Sequence, residues 1–142
     1  MATRSSTAQW EGDLKGGKGT MTVGKGAYTG PFSFASRFEK AAGTNPEELI
    51  ATTHAGCFSM ALSNGLAKAG FTPKSVNTRA DVHFGPDPAG GFHVSMIELI
   101  SDAQVPGIDN AKFQEIAEDT RKGCPISKLM KAEIVVKATL KS

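Results

Sequence analysis

The sequence is poor in the residues that would commit a small protein to a staple, a metal or a membrane. It has two cysteines, three histidines, one tryptophan and one tyrosine in 142 residues. Two thiols, at positions 57 and 124, cannot build the disulfide framework of a small secreted domain. They form no Cys-x-x-Cys pair and the histidines are scattered, so no metal-ligand spacing is present. No stretch approaches the ~18 consecutive apolar residues of a membrane-spanning helix. The opening MATRSSTAQWEGD has no apolar run after its arginine and does not read as a secretory signal. A cytoplasmic protein with no membrane association is therefore expected. Charge of one sign is missing too. The net charge is +2 and no block of like charge stands out, which argues against a nucleic-acid partner.

What is present reads as one globular domain over residues 1–142, with 39% hydrophobic and 21% charged residues. TAQWE and GTMTV, joined by the Gly/Lys turn DLKGGKG, predict a hairpin. GPFSFASRFE, residues 30–39, reads as a third strand. On a period of two it sets Phe32, Phe34, Ser36 and Phe38 on one face and Ser33, Ala35, Arg37 and Glu39 on the other. The next segment opens with Asn45 as N-cap, Pro46 at the first helical position and Glu48 at the third. A register one residue earlier, Thr44 to Glu47, fits as well. Lys68, Gly70 and Pro73 mark its end.

The centre of this long helix is apolar nearly all round, from Leu49, Ile50 and Ala51 through Phe58, Met60, Leu62 and Leu66, which predicts burial on most sides. Gly56 weakens the helix and makes sense if something packs close beside Cys57. SVNTRADVH and FHVSMIELI alternate as strands around GPDPAGG. A helix capped by Asp109 turns Phe113, Ile116, Ala117 and Thr120 inward and stops at Gly123. Pro125 starts a short second helix. In AEIVVKATL, the residues Ala132, Ile134, Val136, Ala138 and Leu140 share a core-facing side. The order predicts an α+β fold. The long helix needs more cover than one sheet of short strands offers, and a second subunit would supply it.

The two thiols differ in setting. Cys57, inside an apolar helix, stays protonated unless a cation reaches it. His54 lies one turn earlier on the same face, as a base or, the reading favoured by residue type, as a polar group bonded within the packing. Cys124 sits at the N-cap of a short helix, where backbone N–H groups favour a thiolate. Local physics makes it the more acidic of the two. The residues alone leave open whether these are two unrelated buried thiols or one functional pair.

AQWEGDLKGGKGT, SRFE, GTNPEELIATTHAGCFSMALS, ADVHF, VPGID and GCPISKLMKAEI together resemble the OsmC branch of the OsmC/Ohr family of hydroperoxide reductases, block by block in the same order. The resemblance implies an OsmC-like fold, with an antiparallel sheet wrapped around a long central buried helix in an intertwined homodimer. It implies a thiol-dependent peroxidase for organic hydroperoxides and hydrogen peroxide, with no cofactor or metal. An external dithiol, carried by a lipoylated protein, would recycle it. Cys57 is similar to the attacking cysteine and Cys124 to the resolving one, so that the two would form a disulfide. Arg37 in SRFE resembles the arginine that holds thiolate and peroxide, and Glu47 in NPEEL the carboxylate that orients it. The Ohr branch brings its arginine from the first hairpin, which here reads GGKG; Lys15 or Lys18 is the weaker alternative cation. By residue type alone, Arg37 would pair with Glu39 on an exposed strand.

Phe32, Phe34, Phe58 and Met60 are candidates to line a substrate pocket. Glu47 and Cys57 are ten residues apart on one predicted helix, hence ~15 Å along its axis. Either the first turn is unwound or Glu47 serves the site of a partner subunit, as two antiparallel helices about a two-fold would allow. Two other readings of the same sequence are an apolar-ligand binding module with passive thiols and a peroxide sensor.

Overall fold

In the computed structural model, which describes residues 1–141, the chain divides into two compact units, Met1–Leu49 and Ile50–Ser142. Each is α+β in character. The first unit is built on an antiparallel meander of β1 (Thr7–Glu11), β2 (Lys18–Val23) and β3 (Tyr28–Phe32). Gly19 pairs with Trp10 on one side and Phe32 on the other, and the two rings close over it with centroids 5.2 Å apart. A Cβ at Gly19 would lie 2.5 Å from the Phe32 ring, so only glycine permits this aromatic pair.

The predicted third strand, residues 30–39, is corrected at its second half. It ends at Phe32, and Phe34–Phe38 form a short helix, α1. Ser33 ends the strand by capping α1. Its hydroxyl accepts from the Ser36 N–H at 3.1 Å, and its own N–H donates to the Ser36 hydroxyl at 2.9 Å. Phe34 and Phe38 also stand four apart, the helical spacing, and their rings meet at 4.8 Å.

The long helix α2 runs unbroken over Pro46–Lys68. Its start follows the Asn45 register, since the Glu48 N–H donates to Asn45 Oδ1 at 2.8 Å. The same cap is tied to α1, because the Asn45 side-chain amide donates to the Ser36 carbonyl at 3.1 Å and the Ser36 hydroxyl donates to the Thr44 carbonyl at 2.8 Å. Two neutral hydrogen bonds of this kind contribute about 1 kcal/mol each. They fix where Arg37 stands relative to the first turn of α2.

In the second unit β4 (Ser75–Pro86) pairs antiparallel with β5 (Phe92–Gln104). The helices α3 (Asn110–Gly123) and α4 (Pro125–Leu129) follow, and β6 (Glu133–Lys141) returns to lie parallel to β5. The expected wholly antiparallel sheet is thus corrected to two three-stranded sheets, the second of them mixed. The reason is the connection. Two helices between β5 and β6 carry the chain back to the end from which β5 started, as a parallel pairing requires.

The core of this unit joins Phe58, Leu62 and Leu66 of α2 to Ile97, Leu99 and Ala103 of β5 and to Phe113, Ile116 and Ala117 of α3. Ala132, Ile134, Val136, Ala138 and Leu140 pack against it, as their alternation predicts. Burying each Leu or Phe stabilises the fold by about 1.5–3 kcal/mol. Gly65 admits α3, since a Cβ there would sit 3.1 Å from Ile116 Cγ2.

Within a single chain α2 is covered along one side. It buries one stripe, His54, Phe58, Leu62 and Leu66, while Thr52, Gly56, Met60 and Asn64 are exposed. Alanines at 51, 55 and 61 made the sequence look apolar all round, yet so small a side chain does not demand cover. Gly56 lies on the exposed side. No atom lies within 4 Å of a Cβ built there.

Candidate active site

Cys57 and Cys124 come together although 67 residues separate them. Their sulfurs lie 3.1 Å apart, within hydrogen-bond reach. A disulfide needs about 2.05 Å, so closure asks for a sulfur movement of about 1 Å. The carriers differ in stiffness and access. Cys57 rides mid-helix on α2 and is partly exposed, whereas Cys124 is fully buried.

Cys124 is placed by the junction of two helices. Its N–H closes α3 on the Thr120 carbonyl at 2.9 Å, and its carbonyl opens α4 by accepting from the Lys128 N–H at 3.0 Å. Gly123 takes no left-handed conformation, so α3 runs through it and stops because Pro125 cannot extend it.

The pair divides its acidity unequally. Burial pushes the Cys57 thiol up, and its hydrogen bond to the Cys124 sulfur adds to this; the Ile126 N–H only partly opposes them. Burial also acts to raise Cys124. There the Ser127 N–H, the bond to Cys57, the Ser127 hydroxyl and the Ile126 N–H outweigh it, and the thiol falls below its ordinary value. The first N–H groups of α4 therefore act as the sequence suggests. Within this unit Cys124 is the more acidic thiol and Cys57 the more accessible one.

His54 is fully buried, and its Nε2 lies 2.7 Å from the Ser127 hydroxyl. The hydrogen bond within the packing that residue type suggests is present. Burial lowers its pKa, keeping the ring neutral. Ser127 is the residue that sequence reasoning passed over. It stands three positions after Cys124, the N3 place of α4, where a hydroxyl can turn back toward the N-cap. That spacing was the available signal.

In the first unit Arg37 faces Glu47. Nη2 lies 2.7 Å from Oε1, and Nε lies 3.2 Å from each carboxylate oxygen. This fork fixes the guanidinium plane, which also lies 5.4 Å from the Phe38 ring centroid. Glu47 is the better buried partner. Residue type on a strand suggested Glu39 as the partner; α1 and the α2 cap turn Arg37 toward Glu47.

Of the four candidate pocket residues, Phe32 and Phe34 share a cavity of about 260 Å³ with Trp10, Leu14, Phe38 and Arg37. Phe58 is corrected, being sealed in the core with no accessible surface. Met60 is 77% exposed and lies in a separate depression beside Ser59, Ser63 and Asn64. Among the described residues, no cluster of three or more His, Cys, Asp or Glu could hold a metal, and no helix is long and apolar enough to cross a membrane.

The sequence profile of the family described as OsmC-like protein matches residues 39–139. The chain belongs to the OsmC family. Over 140 residues this OsmC-family chain is 49% identical to the peroxiredoxin OsmC of Escherichia coli, covering 98% of its own length and 97% of the relative. Similarity to the Ohr branch is lower, at 35% identity over 99 residues with the organic hydroperoxide resistance protein of Xanthomonas axonopodis, covering 69% and 67% of the two chains. Among solved structures, the organic hydroperoxide resistance protein OhrB of Bacillus subtilis superposes with a TM-score of 0.73 at 25% identity, over 96% of this chain and 98% of that one.

Proposed function

We propose that this OsmC-family protein is a cysteine-based peroxidase that reduces organic hydroperoxides, and hydrogen peroxide as well, without a cofactor. The observation that carries the reading is one accessible thiol in direct contact with one buried thiol, 3.1 Å apart. The names of its relatives, peroxiredoxin and organic hydroperoxide resistance protein, support it.

The Cys57 thiolate attacks the terminal peroxide oxygen, the O–O bond breaks, and the alkoxide leaves as alcohol after taking a proton. Cys57 becomes a sulfenic acid. Cys124 then displaces its oxygen as water and a disulfide forms. Two exchanges with an external dithiol, a lipoyl group on a carrier protein, restore both thiols. Such a cycle suits the reducing cytoplasm. One equivalent of cumene hydroperoxide should remove two free thiols per chain; a passive binding module would lose none.

Arg37 supplies the cation that Cys57 lacks in its own surroundings. Guanidinium stays charged at any working pH, and Glu47 holds its fork in place. Lined by Phe32 and Phe34, the cavity beside it would take the organic part of the peroxide. Replacing Arg37 with alanine should raise the Cys57 pKa and slow sulfenic-acid formation about a hundredfold, the usual loss on removing a preorganised charge donor. Stopped-flow kinetics of the first step checks this.

Residues 1–142 work as one domain in a homodimer, with α2 of one protomer antiparallel to that of its partner. The exposed face of α2 supports this, with Gly56 in a groove of about 780 Å³ alongside Ala51, Thr52, Ala55 and Ser59. Glu47 then acts across the dimer, since ten helical residues, ~15 Å, separate it from Cys57 of its own chain. Refolding Cys57→Ser chains with Glu47→Ala chains should recover about a quarter of wild-type activity, because half the dimers are mixed and each carries one intact site. No recovery would assign Glu47 to its own chain.

A further inference from the structure

The peroxide chemistry proposed for Cys57 and Cys124 gives His54 no task, yet this ring is the largest fully buried polar side chain. Its Nδ1 has no hydrogen-bond partner among the described residues. Its other nitrogen, Nε2, has one partner, the Ser127 hydroxyl at 2.7 Å. Ser127 in turn is hydrogen-bonded to the Cys124 thiol through both its hydroxyl and its N–H. Cys124 touches Cys57. Four side chains from two helices and a helix junction thus form one unbroken line of proton-carrying atoms, from imidazole through hydroxyl and thiol to the reacting sulfur.

We propose that Ser127 and His54 form a proton relay for the resolving step, in which the Ser127 hydroxyl takes the proton of Cys124 as it passes its own to Nε2 of His54. The inference rests on the reading of Cys57 and Cys124 as a redox pair. The step balances. Cys124 sulfur attacks Cys57 sulfur, the S–S bond forms and the S–O bond of the sulfenic acid breaks. The proton held on His54 returns through Ser127 to the departing hydroxide, so one thiol and one sulfenic acid become a disulfide and one water. Ser127 touches the reacting thiol; His54 acts through it and is a positioning residue for the proton.

The surroundings suit this use. Burial alone lowers the His54 pKa, so the ring is neutral and free to accept. The titratable groups in this cluster are Cys57, from the same helix, and Cys124, from the α3–α4 junction; among the described residues no charged side chain contributes to the shift at His54. With Nδ1 unpartnered, Nε2 is the one nitrogen wired for exchange. A buried histidine needed only for packing would fit as well as an apolar ring, without an orphaned nitrogen.

The test follows sulfenic-acid formation and disulfide closure separately after one equivalent of cumene hydroperoxide, across pH. In the wild-type protein closure should be level through neutral pH. In Ser127→Ala the ratio of closure rate to sulfenic-acid formation rate should fall about a hundredfold at neutral pH. It should then climb about tenfold per pH unit until Cys124 ionises unaided. Ser127→Thr, which keeps the hydroxyl, should restore the level profile, and His54→Gln should show the steep one. His54→Gln alters a fully buried ring and puts folding at risk, so the pair of Ser127 variants decides the matter alone. Closure by Ser127→Ala at the wild-type rate, or slowed equally at every pH, overturns the relay. A wild-type protein that oxidises Cys57 but never closes the disulfide overturns the redox pair, and the relay with it.

Discussion

Cys57→Ser protein will show no peroxide turnover above the uncatalysed rate, and its remaining thiol will survive a peroxide pulse. The second half of this expectation is the more informative. Cys124 is the more acidic thiol within its unit, so acidity alone would make it the attacker. Accessibility argues the other way, because Cys124 has no exposed surface and Cys57 has some. A nucleophile must meet the peroxide oxygen along the axis of the breaking bond, and a sealed sulfur cannot. Serine at 57 replaces a partly exposed sulfur by a smaller hydroxyl, and the fold should tolerate it. Free-thiol counts before and after cumene hydroperoxide therefore separate the two assignments. One thiol per chain in both samples supports attack by Cys57, whereas loss of that thiol would transfer the role to Cys124.

Cys124→Ser protein should complete the first reduction, one equivalent of peroxide per chain, and fail to recycle. The first chemical step needs only Cys57 and its cation, so sulfenic acid should form and persist, where dimedone traps it. Without the sulfur 3.1 Å away, no internal disulfide can form. Excess peroxide should then drive Cys57 to sulfinic acid, which a dithiol does not reverse. A buried serine hydroxyl costs about 1–3 kcal/mol if it finds no partner. Cys124→Ala, which brings no new polar group, separates lost recycling from lost stability. Mass spectrometry of the adduct is the readout. An internal sulfur bond in this variant, or sustained turnover with a dithiol, would remove Cys124 from the cycle.

Much of this arrangement was legible in the amino-acid order, where local signals were strong and uncontested. The inward stripe of α3 and its Asp109 cap followed from a helical repeat that nothing opposed. The α3–α4 junction followed from Pro125, and with it the acidic setting of Cys124. The errors came where two periods overlapped. Phe32, Phe34 and Phe38 satisfy a strand, while Phe34 and Phe38 alone satisfy a helix; the short Ser33–Ser36 capping box decided between them. Phe58 could be placed on α2 but not on its inner stripe, because alanines blurred the direction of burial. The Cys57–Cys124 contact spans 67 residues, and no local propensity encodes it. The Ser127 link to His54 spans 73, and it too comes from packing α4 against α2.

The central claim is that Cys57 works as a thiolate held by a cation from elsewhere, against a local setting that favours its protonated form. The pH dependence of alkylation at Cys57 in Cys124→Ser protein tests this most directly, since one thiol then titrates alone. The account predicts a midpoint well below the ordinary thiol value of 9.0, moving upward when Arg37 is also replaced by alanine. A midpoint at or above that value, unmoved by the loss of Arg37, would contradict it.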